Sequence, residues 1–283
     1  MFGLVPKPIW SKRIPADDRN RIAQNANCLL IELSDGRIGL IDSGCGDPAH
    51  FSEKERRLHG LGDAWHLMEG LRRLNRTPEE IDFVILTHLH WDHVGGCGTW
   101  EGDDQVRLTF PNAQHFVHLF EWEDATRKDP LLGKSYPPEA IRPLMEQQQD
   151  HLVLVTDRAP DILPGIRLAR SGGHTRGHCV VVLRDEPMIF HHPEIGEMGP
   201  FGSVIFAGDV CPTRHHLRAV FQTAYDTYPL QTREWKLNHF PAIAADRDLL
   251  WFDHDPDVMG AIIAPDPNEE FIAAKPLPAL AAG

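Results

Sequence analysis

The sequence has no apolar run that approaches the roughly 18 residues of a membrane span, which argues against a transmembrane segment. Its first residues, MFGLVPKPIWSKR, lack the basic-then-apolar order of a secretory signal, so the expected location is the cytoplasm. Cysteine is scarce. Cys28, Cys45, Cys97, Cys179 and Cys211 are odd in number, widely spaced and include no C-x-x-C pair. This argues against a disulfide framework and a thiolate zinc knuckle, and it fits thiols serving as small buried hydrophobes. Positive charge is also short: 28 Lys and Arg stand against 41 Asp and Glu, for a net charge of -13. Phosphates would be repelled over most of such a surface, so neither nucleic acid nor an anionic membrane is an expected partner. That balance still permits a local cationic site built by metal ions. No internal repeat or low-complexity stretch stands out.

What is present reads as an ordinary globular chain. Its 283 residues are 42% hydrophobic and 24% charged, enough for a substantial core. The expected organisation is a single domain over 1–283, with an N-terminal extension at 1–20 and a loose, Pro- and Ala-rich tail at 258–283. Strands are expected at 27–32, 38–42, 82–87, 115–119, 152–155, 165–169, 179–183, 204–208 and 249–252, the first two joined by a turn at Ser34-Asp35-Gly36-Arg37. Helical spacing or composition marks 64–74, 121–128, 139–149 and 231–245, and Thr77-Pro78-Glu79-Glu80 is a capping box that opens a short helix. Strands interspersed with helices suggest an α/β class with two sheets flanked by helices.

The densest chemistry lies in ILTHLHWDHVGG. His88, His90, Asp92 and His93 fall within six positions, after the apolar run Phe83-Val84-Ile85-Leu86 and before Gly95-Gly96. Alternate residues of an extended backbone face one side, so His88 and His90 can point together from the strand end, and the glycines permit a tight turn. Imidazole nitrogen and carboxylate oxygen are the usual ligands of zinc and similar ions. Further ligand-type residues stand at other strand ends: His174 in SGGHTRGHC, Asp209 in VIFAGDVC and His254 in LLWFDHDPD. Side chains on loops held by a rigid sheet are a common way to build a site. His191-His192 reads instead as part of a hairpin loop between two strands.

The order His88-x-His90-x-Asp92-His93, His174, Asp209, His254, together with Asp42-Ser43-Gly44, resembles the metallo-β-lactamase superfamily of hydrolases over about 27–255. The resemblance implies a four-layer αβ/βα sandwich of two mixed sheets flanked by helices, with a two-metal site at one edge. It implies that His88, His90 and His174 bind one ion, that Asp92, His93 and His254 bind a second, and that Asp209 bridges them. Asp42 and His178 would then support the ligands from behind. Asp92 and Asp209 would be the catalytic carboxylates, Asp92 passing a proton to the leaving group. Zinc is the default ion, with manganese, iron or cobalt open.

Within that family the chain looks most like the lactonase and organophosphate-hydrolase branch. Asp209 is present, which true β-lactamases lack, and only 35 residues separate His174 from Asp209, which leaves no room for the extra domain of RNA-processing members. The expected activity is opening of a lactone or ester carbonyl, with side activity on phosphotriesters. The alternatives are a phosphodiesterase or sulfatase, for which Arg176 and Arg214 could supply positive charge, and a non-catalytic metal-binding scaffold. One departure stands out. Acyl-homoserine lactonases typically place a tyrosine where this chain has Pro212. His215, Tyr225 and Tyr228 are the candidates to replace it. Trp91 is the foremost candidate for an apolar substrate wall, followed by Phe2, Trp10, Phe201 and Phe221. The expected partner is a small-molecule substrate, and the resemblance also allows a homodimer.

Overall fold

A computed structural model describes residues 1–102, 105–127, 129–130, 132–133, 135–159, 161–184, 188–192 and 195–279. The chain, read above as one domain, divides into two compact units: 28–156, and 1–27 with 157–283. Both are mixed α/β, as expected. None of the five cysteines forms a disulfide, and no helix among the described residues is long and apolar enough to cross a membrane.

The 28–156 unit holds strands β1 (Leu29–Glu32), β2 (Ile38–Ile41), β3 (Phe83–Ile85), β4 (Gly98–Glu101), β5 (Gln105–Leu108), β6 (Gln114–His118) and β7 (Leu152–Val155). Five of them form a sheet in the order β1-β2-β3-β6-β7, while β4 and β5 form a separate hairpin. The β1–β2 pair is antiparallel and the remaining pairs of that sheet are parallel. Strands β2 and β3 are buried at every position, as parallel strands covered on both faces should be. The core sets Ile38, Leu40, Val84 and Leu86 of the sheet region against Leu71 of the helix His66–Arg73 and against Ile141 and Leu144 of Pro138–Glu146. The expected helix after Thr77 is a single 3-10 turn, Pro78–Glu80, with its capping box formed.

The other unit holds β8 (Ile166–Arg170), β9 (Cys179–Leu183), β10 (Met188–His192), β11 (Gly196–Phe201), β12 (Val204–Phe206), β13 (Leu249–Trp251), β14 (Val258–Asp266) and β15 (Glu270–Pro278). Six form a sheet in the order β15-β14-β13-β12-β9-β8, with β12 and β13 parallel. The 18-residue helix Pro229–Asp246 buries Phe240 and Ile243 in a core with Ile205, Leu250 and Ala261.

Two expectations are corrected here. The stretch 258–283 is not a loose tail through its described part: β14 and β15 pair antiparallel along their length and bury Met259, Ala261, Ile263 and Leu277. Pro276 and Pro278 misled the reading, because an edge strand tolerates proline on its unpaired side. His191 and His192 are not in a loop either. Both lie in β10, opposite Glu197 and Gly196 of β11.

The N-terminal extension carries a four-residue helix, Lys7–Trp10. Phe2 and Ile14 are buried with Phe221 in a small core of their own. Phe2 stacks on His216 at 4.7 Å. Three of the apolar residues singled out for a substrate wall, Phe2, Trp10 and Phe221, thus pack on one another within this unit.

Candidate metal centre

Apart from His174, the expected ligands in each unit follow the carboxyl ends of parallel strands. In the 28–156 unit, β3 ends at Ile85 and His88–His90 follow. His90 caps the one-turn helix Trp91–Val94, which carries Asp92 and His93. Asp42 follows the parallel neighbour β2 in left-handed backbone (φ 56°), a conformation aspartate tolerates better than most residues. The paired glycines are required by close approach rather than by a special dihedral. A Cβ on Gly95 would meet the Cys45 carbonyl oxygen at 2.4 Å, and one on Gly96 the Ser43 oxygen at 2.1 Å.

Asp42 ties this half of the ligand set together. It is buried, and its Oδ1 accepts the Thr87 backbone N–H at 2.8 Å. Its Oδ2 accepts the Thr87 hydroxyl at 2.8 Å and His93 Nδ1–H at 2.8 Å. The same threonine oxygen lies 3.1 Å from His88 Nδ1. With the proton of each ring on Nδ1, Nε2 of His88 and of His93 presents a lone pair to an ion. Donor nitrogens of His88 and His90 lie within 4.8 Å of each other. Behind them the buried Glu121 accepts the Leu89 N–H at 3.0 Å and the Tyr136 hydroxyl at 2.7 Å, and so holds the peptide between the two histidines.

In the other unit, Asp209 lies in the 3-10 turn that follows β12, and His254 follows the parallel β13. His174 stands in the β8–β9 loop. Gly173, at φ 82°, brings that loop against Thr232, which a Cβ would meet at 2.3 Å. Asp209 is flanked on both oxygens: Oδ2 lies 3.0 Å from His174 Nε2, and Oδ1 lies 3.0 Å from His254 Nε2. Each imidazole is aimed from its far side. His174 Nδ1 faces Asp226 Oδ1 at 3.0 Å, and Thr223 donates to that same oxygen at 2.5 Å. His254 Nδ1–H donates to the Asn25 carbonyl at 2.7 Å. His178 has both nitrogens engaged, Nε2 accepting the Asp209 N–H at 3.1 Å and Nδ1 lying 2.6 Å from the Ser171 hydroxyl. It supports Asp209 and presents no lone pair to an ion.

The electrostatics of this half favour a cation. Burial opposes ionisation of Asp209, yet the His174 and His254 imidazoles outweigh it and hold the carboxyl well below its usual range. Burial also opposes charge on His174, and Asp209 with Asp226 lifts that imidazole to about 10. Two buried carboxylates thus stabilise positive charge where a divalent ion would supply it. A donor set of imidazole nitrogens and carboxylate oxygens, with the far nitrogens of His88, His93, His174 and His254 engaged, fits such ions.

The remaining candidates fall differently. Trp91 packs edge-on to Phe51 at 5.6 Å and against His59 at 4.5 Å. Phe201 ends β11 half-buried. Tyr225 and Tyr228 are exposed at 65% and 39%. His215 is half-buried, and burial together with Arg214 lowers its basicity. Arg214 itself is engaged by Asp255 and Asp257. The sequence reading missed Thr87, Glu121, Thr223, Asp226 and the Asn25 carbonyl. Thr87 lies inside the histidine motif and Asp226 inside the stretch AYDTYPLQTREWK, but Asp226 is 52 positions from the histidine it orients.

The sequence profile of the metallo-beta-lactamase superfamily matches residues 21–191. An N-acyl homoserine lactonase of Bacillus sp is 26% identical over 167 residues, which are 56% of this chain and 58% of that protein. The AttM N-acyl homoserine lactonase of Rhizobium johnstonii is 30% identical over 128 residues, 43% of this chain and 44% of that protein. The chain therefore spans less than two thirds of the length of these relatives. Among solved structures, a probable metal-dependent hydrolase from Staphylococcus aureus matches with a TM-score of 0.82 and 27% identity, over 100% of this chain and 92% of that one. The dizinc quorum-quenching lactonase AidC, in complex with N-hexnoyl-L-homoserine, shares the fold with a TM-score of 0.66 at 16% identity, over 92% of this chain and 81% of that one.

Proposed function

This chain belongs to the metallo-beta-lactamase superfamily, and we propose that it is a dinuclear metal-dependent hydrolase that opens a lactone or related ester. The observation that carries this reading is Asp209, with a histidine Nε2 3.0 Å from each of its two oxygens. A carboxylate so flanked suits a bridge between two ions. On the family pattern, His88, His90 and His174 would hold one ion and Asp92, His93 and His254 the other, with zinc the default for both. Two such ions, when bound, would supply a hydroxide near neutral pH and polarise the substrate carbonyl.

The chain's own residues do the rest. Asp42 fixes the tautomer of His93 directly and that of His88 through Thr87. Asp226 and the Asn25 carbonyl fix those of His174 and His254. Asp92 takes the proton released in the attack and delivers it to the departing alkoxide. His215, half-buried and held neutral, replaces the tyrosine absent at Pro212 as hydrogen-bond donor to the carbonyl, a role that suits it better than the exposed Tyr225 or Tyr228.

The lactone preference is supported by the relatives, which are N-acyl homoserine lactonases. The phosphodiester or sulfate-ester alternative needs cationic side chains for its substrate, and of Arg176 and Arg214 the second is committed to Asp255 and Asp257. Alkali uptake in a pH-stat, with zinc-loaded protein on γ- and δ-lactones of short and long chain beside aryl phosphotriesters, tests the reading. Lactones are expected to turn over fastest. Turnover of phosphoesters alone would refute it.

A further inference from the structure

Building on that two-ion reading, we propose that Asp253 is an additional ligand of the ion held by His254 and Asp209, and that it biases that position toward harder ions such as manganese. Asp253 directly precedes His254 at the end of the parallel strand β13, and it is buried, with 2% of its surface exposed. Its backbone is fixed, because the Asn27 N–H donates to the Asp253 carbonyl at 2.7 Å. Asn27 also donates through its side chain to the Phe252 and Asp255 carbonyls at 3.0 and 2.8 Å. Asn27 therefore clamps the turn that carries both residues.

The spacing of the donor atoms suits one ion. Two donors each about 2.1 Å from a shared ion lie roughly 3.0 Å apart at a right angle and roughly 3.8 Å apart at about 130°. His254 Nε2 lies 3.0 Å from Asp209 Oδ1 and 3.8 Å from Asp253 Oδ2. Ligand atoms of Asp209, Asp253 and His254 all fall within 4.8 Å of one another. A carboxylate used only to aim His254 would belong at Nδ1, yet that nitrogen is already bound to the Asn25 carbonyl. Asp253 stands on the Nε2 side, where an ion binds. A second carboxylate at this position adds negative charge and an oxygen donor. The charge strengthens either divalent ion, while the added oxygen donor narrows the advantage of zinc over manganese, because zinc is content with four ligands and nitrogen donors.

The test compares wild type with Asp253→Asn and Asp253→Glu, each checked for folding by circular dichroism. Zinc and manganese are titrated into each protein against a competing chelator, and bound manganese is followed by electron paramagnetic resonance. Wild type is expected to hold two ions. Asp253→Asn should weaken manganese at one position by roughly 10–100-fold, the cost typical of disturbing a metal site, and weaken zinc less. Asp253→Glu, which keeps the carboxylate, should restore much of the manganese affinity and keeps the test open if the asparagine variant fails to fold. If wild type binds two ions and folded Asp253→Asn binds both metals as wild type does, or loses both equally, this proposal is overturned and the two-ion reading stands. A wild type that holds fewer than two ions overturns that reading first.

Discussion

The most informative single perturbation is Asp42→Asn, because it removes one charge and leaves the shape intact. Asp42 accepts three hydrogen bonds: the Thr87 N–H on Oδ1, and the Thr87 hydroxyl and His93 Nδ1–H on Oδ2. Asparagine has one acceptor oxygen and one donor group. If its NH2 faces His93, the imidazole must accept at Nδ1 and carry its proton on Nε2, which blocks that nitrogen as a ligand. If the amide is flipped, the NH2 meets the Thr87 N–H, and two donors face each other in a buried place. Leaving one buried donor unsatisfied costs about 1–3 kcal/mol. At about 1.4 kcal/mol per tenfold, that is a loss of roughly 5- to 150-fold in affinity for the ion at His93. Competition with a chromophoric chelator reads the affinity directly. Hydrolysis should fall at limiting metal and recover in part when metal is raised. An Asp42→Asn protein that binds both ions with wild-type affinity would refute the claim that Asp42 sets the His93 tautomer.

Other perturbations probe separate parts of the account. A Cβ in Gly96→Ala would stand 2.1 Å from the Ser43 oxygen, a backbone atom. Relieving that overlap should cost about 1–3 kcal/mol or more in chemical denaturation, and the variant should lose metal along with stability. Lys236, fully buried, donates to the carbonyls of His216 at 2.9 Å and Phe221 at 2.7 Å. Lys236→Met orphans both carbonyls at about 1–3 kcal/mol each. It should lower the melting temperature while zinc stoichiometry persists in the folded fraction, and an unchanged melting temperature would contradict the reading. His115 is buried and its basicity falls from 6.5 to about 4, chiefly through burial. Its folded value lies below its unfolded one, so the associated stability is present above pH 6.5 and is lost as pH falls toward 4. A shift of this size corresponds to about 3 kcal/mol. His115→Gln should flatten the stability profile between pH 6.5 and 4, and a profile with the wild-type slope would count against this assignment.

The strands that carry the centre were legible in the sequence because each is a short apolar run that ends in a ligand-type residue beside glycine, aspartate or proline. Cys179–Leu183 and Leu152–Val155 were placed at their observed bounds. The hairpin of β14 and β15 was not legible, since Pro265, Pro276 and Pro278 mask its alternation and only pairing along one edge reveals it. The ligand-type residues at strand ends could be read from spacing, while the groups that aim them could not. Asp226 and Asn25 reach His174 and His254 from other parts of the chain, and although Asp226 lies beside Tyr225, nothing local announces its contact with His174. Glu121 sits in the first turn of the helix Leu119–Thr126, where an acidic residue also suits the helix dipole, so its contact with the Leu89 N–H carries no separate signature. Arg214 looked available to an anionic substrate because its partners, Asp255 and Asp257, lie some 40 positions away.

The central claim is a centre of two ions bridged by Asp209, and elemental analysis tests it most directly. Wild type, His254→Ala and Asp209→Ala would be purified, loaded with zinc and desalted, then assayed for zinc per chain alongside lactone hydrolysis. The account predicts two ions in wild type, one in His254→Ala and a defect at both positions in Asp209→Ala, with hydrolysis falling in step. A wild type that hydrolyses lactones while holding one ion, or a His254→Ala protein that keeps two, would contradict it.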